Sequence, residues 1–226
     1  MITLTINRNQ IDYIGTFERP AFSLVGNSNV LEGLFDTFSK FQVPLSDFRL
    51  DTAAAVPTDN GINIFLKSLG LYRLRFDRVE WTVTDFLDVD FSRLPDVLTQ
   101  GATWLRSVET NFSFKTHTFV YSAHCRLSEG TAKDFLLNFP DKIAFNLGES
   151  LGNGLIFNWH DARIGGRFNL IIDHSLSVKD GLFIQLAGIV EGDSLDYPQV
   201  INLGQGALNE ILGKLGLQFE QEEEIS

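Results

Sequence analysis

The sequence predicts an α+β fold, mainly antiparallel sheet with helices packed on one face, built as two similar β-α-β-β-β-α halves. Three observations lead there. Most of the chain alternates apolar and polar residues with period two, four stretches carry apolar residues at helical spacing, and the connections between strand runs are too short for parallel crossovers.

In the first half the opening strand is read at 21–25. A helix over 30–41 follows, where Val30, Leu31, Leu34, Phe35, Phe38 and Phe41 recur at helical spacing behind a capping-box start from Asn29 and Glu32. Strands are expected near Phe48 and at Ile62, Ile64 and Leu66. Over 71–83 Tyr72, Leu74 and Phe76 share one face, then the apolar phase shifts to Val79, Trp81 and Val83, which predicts a bulge or bend near Asp77 and Arg78. A second helix starts near Ser92, with Pro95 in its first turn and Leu94, Val97, Leu98, Leu105 and Val108 on one side; Gly101 weakens it.

The second half opens with a strand over 112–127, whose apolar phase slips between Phe112, Phe114 and the later series Phe119, Tyr121, Ala123, Cys125 and Leu127. A short helix over 131–139, with Ser128 as its cap, stops before Pro140. Strands follow near Leu155, through Phe168 to Leu176, and over 182–190, whose nearly continuous apolar run marks a central strand. The last helix begins at Pro198. Its Gly204 and Gly206 cost stability unless another backbone packs close.

Aligning these elements divides the chain into halves at 1–110 and 111–219, with a flexible acidic tail over 220–226. The order of elements resembles small bacterial helix-on-sheet modules, a pattern without a motif, from which no function follows.

Composition narrows the partners. Eighteen Lys and Arg against 29 Asp and Glu leave a net charge of −11, which repels nucleic-acid backbones. Arg73, Arg75 and Arg78 alternate beside Asp77 and Glu80 and are read as the solvated side of a strand. No run approaches the ~20 apolar residues of a membrane helix, and no secretory signal opens the chain, so a cytoplasmic location is expected without nucleic acid or membrane as partner. A lone Cys125 cannot close an intramolecular disulfide.

Chemistry-bearing motifs are sparse. His117 and His124, seven apart on one strand, face opposite sides. The metal or acid/base candidates are His160 with Asp161 and Asp173 with His174, which would have to converge from two strands. Asp85, Asp88 and Asp90 read as carboxylates at a helix N-terminus. Gly148, Gly152 and Gly154 lack the Lys-Ser/Thr of a phosphate loop and read as turn glycines. No cofactor is expected, no catalytic motif is found, and the chain is read as non-enzymatic.

The leading expectation is a protein-interaction module, a subunit, adaptor or inhibitor that docks another protein or itself as a homodimer through sheet faces or edges. The alternative is a binding module for an apolar small molecule in a Phe-lined cavity between sheet and helix. Trp81, Phe157, Trp159, Phe168 and Phe183 are the expected surface for either. A metal-dependent hydrolase is the remaining alternative.

Overall fold

The computed structural model describes residues 1–24, 28–51, 59–85, 94–109, 111–139 and 153–220. The first part of the chain forms β1 (Ile2–Phe17), α1 (Ser28–Ser39), β2 (Phe48–Asp51), β3 (Gly61–Phe65), β4 (Leu71–Arg75), β5 (Arg78–Thr84) and α2 (Leu94–Val108). The remainder forms β6 (Phe114–Leu127), α3 (Ala132–Leu136), β7 (Leu155–Asp161), β8 (Gly166–His174), β9 (Leu182–Glu191), α4 (Tyr197–Lys214) and β10 (Leu217–Phe219).

The strands make one ten-stranded sheet in the order β2-β3-β4-β5-β1-β6-β9-β8-β7, with β10 beside β1. Every pairing is antiparallel except the parallel contact of β1 with β10. The α+β class and the antiparallel sheet are therefore as expected.

The opening strand differs. Residues 22–24 form a 3-10 turn, and the first strand is the long β1. Its signal is split by an irregularity between Ile6 and Arg8 in the pairing with β6. Ile2, Leu4 and Ile6 lie in one phase, Ile11 and Tyr13 in the other, and the inward Asn9 is buried. A strand that changes phase halfway does not read as alternating.

The phase shift at Asp77 also has a different cause. Rather than one bulged strand, β4 and β5 are a hairpin closed at Phe76 and Asp77, with Leu74 opposite Val79 and Tyr72 opposite Trp81. Chain reversal pairs even with odd positions, so both apolar series face the same side. The slip in β6 is a true irregularity, between the pairs Thr16/Thr116 and Phe17/Phe114. The strand over 182–190 is interior as expected, as β9 lies between β6 and β8.

Helix boundaries shift modestly. Asn29 lies inside α1 rather than capping it. Thr131, not Ser128, caps α3 in a capping box with Asp134, and the helix ends at Leu136; the Ser128 hydroxyl accepts from the Thr3 N–H instead. In α2 a Cβ at Gly101 would overlap the Tyr72 hydroxyl, so this glycine admits a close ring rather than merely weakening the helix. In α4 the condition that would spare the two glycines their cost is not met. Among the described residues no other backbone packs against Gly204 or Gly206; a Cβ at Gly204 would meet only Leu186 Cδ2, at 3.5 Å, and one at Gly206 nothing within 4 Å.

Two apolar clusters form the core. Val30, Leu34 and Phe38 of α1 and Val97 and Leu105 of α2 meet Tyr13, Leu74 and Trp81 of the sheet. Phe135 and Leu136 of α3 and Leu208 and Leu212 of α4 meet Ala123, Leu170 and Ile184. The clusters exchange members: Leu4 of β1 belongs to the second and Tyr197 of α4 to the first.

Helix α4 is tied down at both ends. Asp196 caps it by accepting from the Gln199 N–H at 3.1 Å. After its last turn Gly216, at φ 75°, turns the chain into β10, and its carbonyl accepts from the Ile2 N–H at 2.7 Å.

Candidate functional site

Between these two ties α4 spans the centre of the sheet and leaves a cavity of about 380 Å³ beneath it. The floor comes from Ile6 and Ile11 of β1, Trp81 of β5, Phe119 and Tyr121 of β6, and Phe168, Leu186 and Gly188 of β8 and β9. The roof is Val200, Ile201, Gly204 and Leu208 of α4, with Leu98 of α2 and Phe219 of β10 at the sides. Gln205 and Asn209, both exposed on α4, supply the polar rim. Among the described residues none that lines the cavity is charged.

Two glycines shape this space. Gly188 lies opposite Phe168 in the register, and a Cβ there would stand 2.7 Å from the Phe168 ring. The bare backbone lets that ring lie across β9. Gly204 omits the side chain that would project from α4 toward Leu186.

Of the five aromatic residues expected from sequence, Trp81 and Phe168 line the cavity. Trp81 is held by donating its indole N–H to the Leu69 carbonyl at 2.7 Å. Trp159 stacks on Phe168 from outside, with ring centroids 5.3 Å apart and planes at 12°. Phe157 packs at the edge of the second cluster. Phe183 turns to the opposite face, its ring 5.0 Å from that of His124. The sequence reading did not find Phe119, Tyr121, Leu186, Gly188, Gln205 or Asn209. The glycines inside α4 were the one available signal, and they were weighed as a cost in helix stability rather than as empty space.

Near Phe119 a buried polar chain closes the core. His117, 1% exposed, has its Nε2 at 3.1 Å from the Gly192 carbonyl, which can only accept. Burial pushes its imidazole down to about 4, so the ring is neutral near pH 7, with Nε2 protonated and Nδ1 accepting. The Tyr13 hydroxyl donates to that Nδ1 at 2.8 Å and accepts from the Tyr197 hydroxyl at 3.1 Å. Burial raises both phenols above their ordinary range. This chain anchors the first turn of α4 to β1 and β6.

The histidine and carboxylate candidates do not converge. In the β7–β8 hairpin His160 pairs with Arg167 near the turn, whereas Asp173 and His174 lie at the far end of β8 opposite Phe183 and Leu182. Six strand residues separate the ends, roughly 20 Å at ~3.3 Å per residue. Asp161 is bound to Arg163, whose hydrogen bond holds its carboxyl below the usual range. Asp173 accepts from the His174 N–H at 2.7 Å. Among the described residues no group of three or more His, Cys, Asp or Glu could hold a metal.

His117 and His124 face opposite sides, as expected; His124 bonds the Ser175 hydroxyl at 2.9 Å. Asp85 ends β5 at φ 49°, while Asp88, Asp90, Gly148 and Gly152 lie outside the described residues. Gly154 directly precedes β7.

The arginine stretch is not simply solvated. Arg78 donates to Asp59, Asp77 and Glu80, and Arg73 lies 3.7 Å from Glu80. Arg75 is 8% exposed, and burial lowers its guanidinium from the usual range.

Cys125 is buried and its thiol is pushed up to about 12 by desolvation. Among the described residues no helix is long and apolar enough to cross a membrane. Comparison with protein-family models, with curated proteins and with solved structures found no match to this chain.

Proposed function

We propose that this chain is a non-enzymatic binding module for an apolar small molecule, held between the sheet and α4. The observation that carries it is the 380 Å³ cavity, of the size and apolar character of ligand pockets, with two polar groups at its rim and Trp81 and Phe168 in its wall. Water filling a space with walls this apolar finds few hydrogen-bond partners, so an apolar occupant is the better fit. The test is titration with Nile red, a neutral apolar dye. One-to-one binding that Gly204→Leu abolishes supports the reading; binding unchanged in that variant overturns it.

A second reading, docking of another protein or a second copy of this chain, rests on β7. This strand ends the sheet order, contains neither Lys nor Pro, and leaves Ile156 63% exposed. Light scattering on the purified chain tests the homodimer version, with Ile156→Lys expected to dissociate it.

The doubled layout belongs to the same proposal. Outward from the central β1/β6 pair the order runs β1, β5, β4, β3 on one side and β6, β9, β8, β7 on the other. Each side thus meets its first, fourth, third and second strand if β2 and β10 are set apart as additions. The halves 1–110 and 111–219 would then be copies of one unit that exchange Leu4 and Tyr197 between their cores. A cytoplasmic location is proposed with them.

A further inference from the structure

We infer that the cavity selects a neutral amphiphile, an apolar chain or ring ending in a hydroxyl, carbonyl or amide, over a carboxylate or ammonium of the same size. This rests on the reading of the cavity as a ligand site and adds the chemistry of the ligand's polar end.

The inference starts from what the walls lack. Apart from the Tyr121 phenol the lining among the described residues is apolar or carboxamide, without an Asp, Glu, Lys, Arg or His. A carboxylate drawn into such a space gives up its hydration and finds no counter-charge, a loss far larger than that for a hydroxyl. The chain's charge of −11 adds a field that disfavours anions before they arrive.

That same field would favour a cation, but the acids that flank the rim among the described residues are occupied. Glu210 follows Asn209 on α4 and is paired with the Lys214 ammonium at 2.5 Å. Glu220 follows Phe219 and accepts from the Thr5 hydroxyl at 2.7 Å. Both acids nearest the rim in sequence are already engaged.

What the rim does present is a pair of carboxamides. Gln205 and Asn209 stand four residues apart on α4, hence on one side of the helix, and both are exposed. Each supplies one acceptor and two donors, so together they can serve a hydroxyl or a carbonyl in either sense. Uncharged donors and acceptors above an apolar chamber suit an uncharged polar end.

The experiment titrates the full chain at pH 7 with 1-decanol, decanoate and decylamine, each below its micelle concentration, and repeats the series on Gln205→Lys and Gly204→Leu. The expected result is decanol binding at least about tenfold tighter than either ion, lost in Gly204→Leu. In Gln205→Lys, which puts an ammonium where a rim carboxamide stood, decanoate should gain about tenfold relative to decanol. Decanoate or decylamine matching decanol in the parent chain, yet still lost in Gly204→Leu, overturns the selectivity and leaves the ligand site standing. Decanoate unmoved by Gln205→Lys overturns the placement of the polar end at the rim. Failure of all three probes to bind overturns both the inference and the ligand site beneath it.

Discussion

The ring of Phe168 lies over the backbone of Gly188, so close that a Cβ would stand 2.7 Å from it, and this contact sets one wall of the cavity. A Gly188→Val change must move the ring. We expect a loss of about 1–3 kcal/mol in denaturant unfolding, the usual cost of overpacking, together with weaker Nile red binding. Unchanged stability and binding would show that the ring has room to yield.

Gly204 should behave oppositely. A Cβ there makes an ordinary 3.5 Å contact with Leu186 and removes a flexible residue from a helix interior. Gly204→Ala is expected to raise stability by about 0.5–1 kcal/mol. Thermal unfolding checks it, and a lower melting temperature would mean that α4 needs the glycine for its path over the sheet.

His117 makes stability depend on pH with a definite sign. Its imidazole is held near 4 when folded, against an ordinary value of 6.5, so between these values the unfolded chain binds a proton that the folded chain refuses. The contribution is fully present above 6.5 and is lost as pH falls toward 4, by about 3 kcal/mol at most. Because carboxylates titrate in the same window, the measurement is the difference between the parent chain and His117→Gln in urea unfolding at pH 7 and 4.5. The variant should show the shallower fall.

Removing the Tyr13 hydroxyl leaves the His117 Nδ1 without its donor and the Tyr197 hydroxyl without its acceptor, both inside the core. Tyr13→Phe should cost about 1–3 kcal/mol. The effect of Tyr13→Phe should shrink in a Tyr197→Phe background, because one of the two orphaned groups is then already gone.

Cys125 should be inert in the native chain. Its thiol is buried and pushed up to about 12, so little thiolate exists at pH 8. A maleimide reagent is expected to label it only after unfolding, and rapid labelling of the folded protein would place the thiol at an accessible surface.

Much of the scaffold was legible because helical and strand periods are written in short windows. Leu182 to Val190 and Phe168 to Ile172 read correctly as strands, and α1, α2 and α4 as helices. β1 was missed, although it is the longest strand, because an irregularity after Ile6 splits its alternation and places Asn9 inward. The hairpin at Phe76 and Asp77 was read as a bulge or bend within one strand, since each changes the apolar phase and only pairing tells them apart.

The site was far less legible. Trp81 and Phe168 were expected among its aromatic walls, yet Phe183, equally aromatic, stands on the other face beside His124. His160 and His174 share a hairpin but lie at its opposite ends, a separation set by register rather than by residue type.

By itself the sequence determined the α+β class, the antiparallel sheet and the net charge of −11, because composition and apolar period are local properties of the chain. Only the tertiary structure decided that α4, tied by Tyr197 at one end and β10 at the other, passes over Phe119, Leu186 and Gly188 without filling the space between. Periodicity names the face a side chain occupies. Which neighbour it meets there, or whether it meets none, depends on strand register and helix placement, which long-range packing sets.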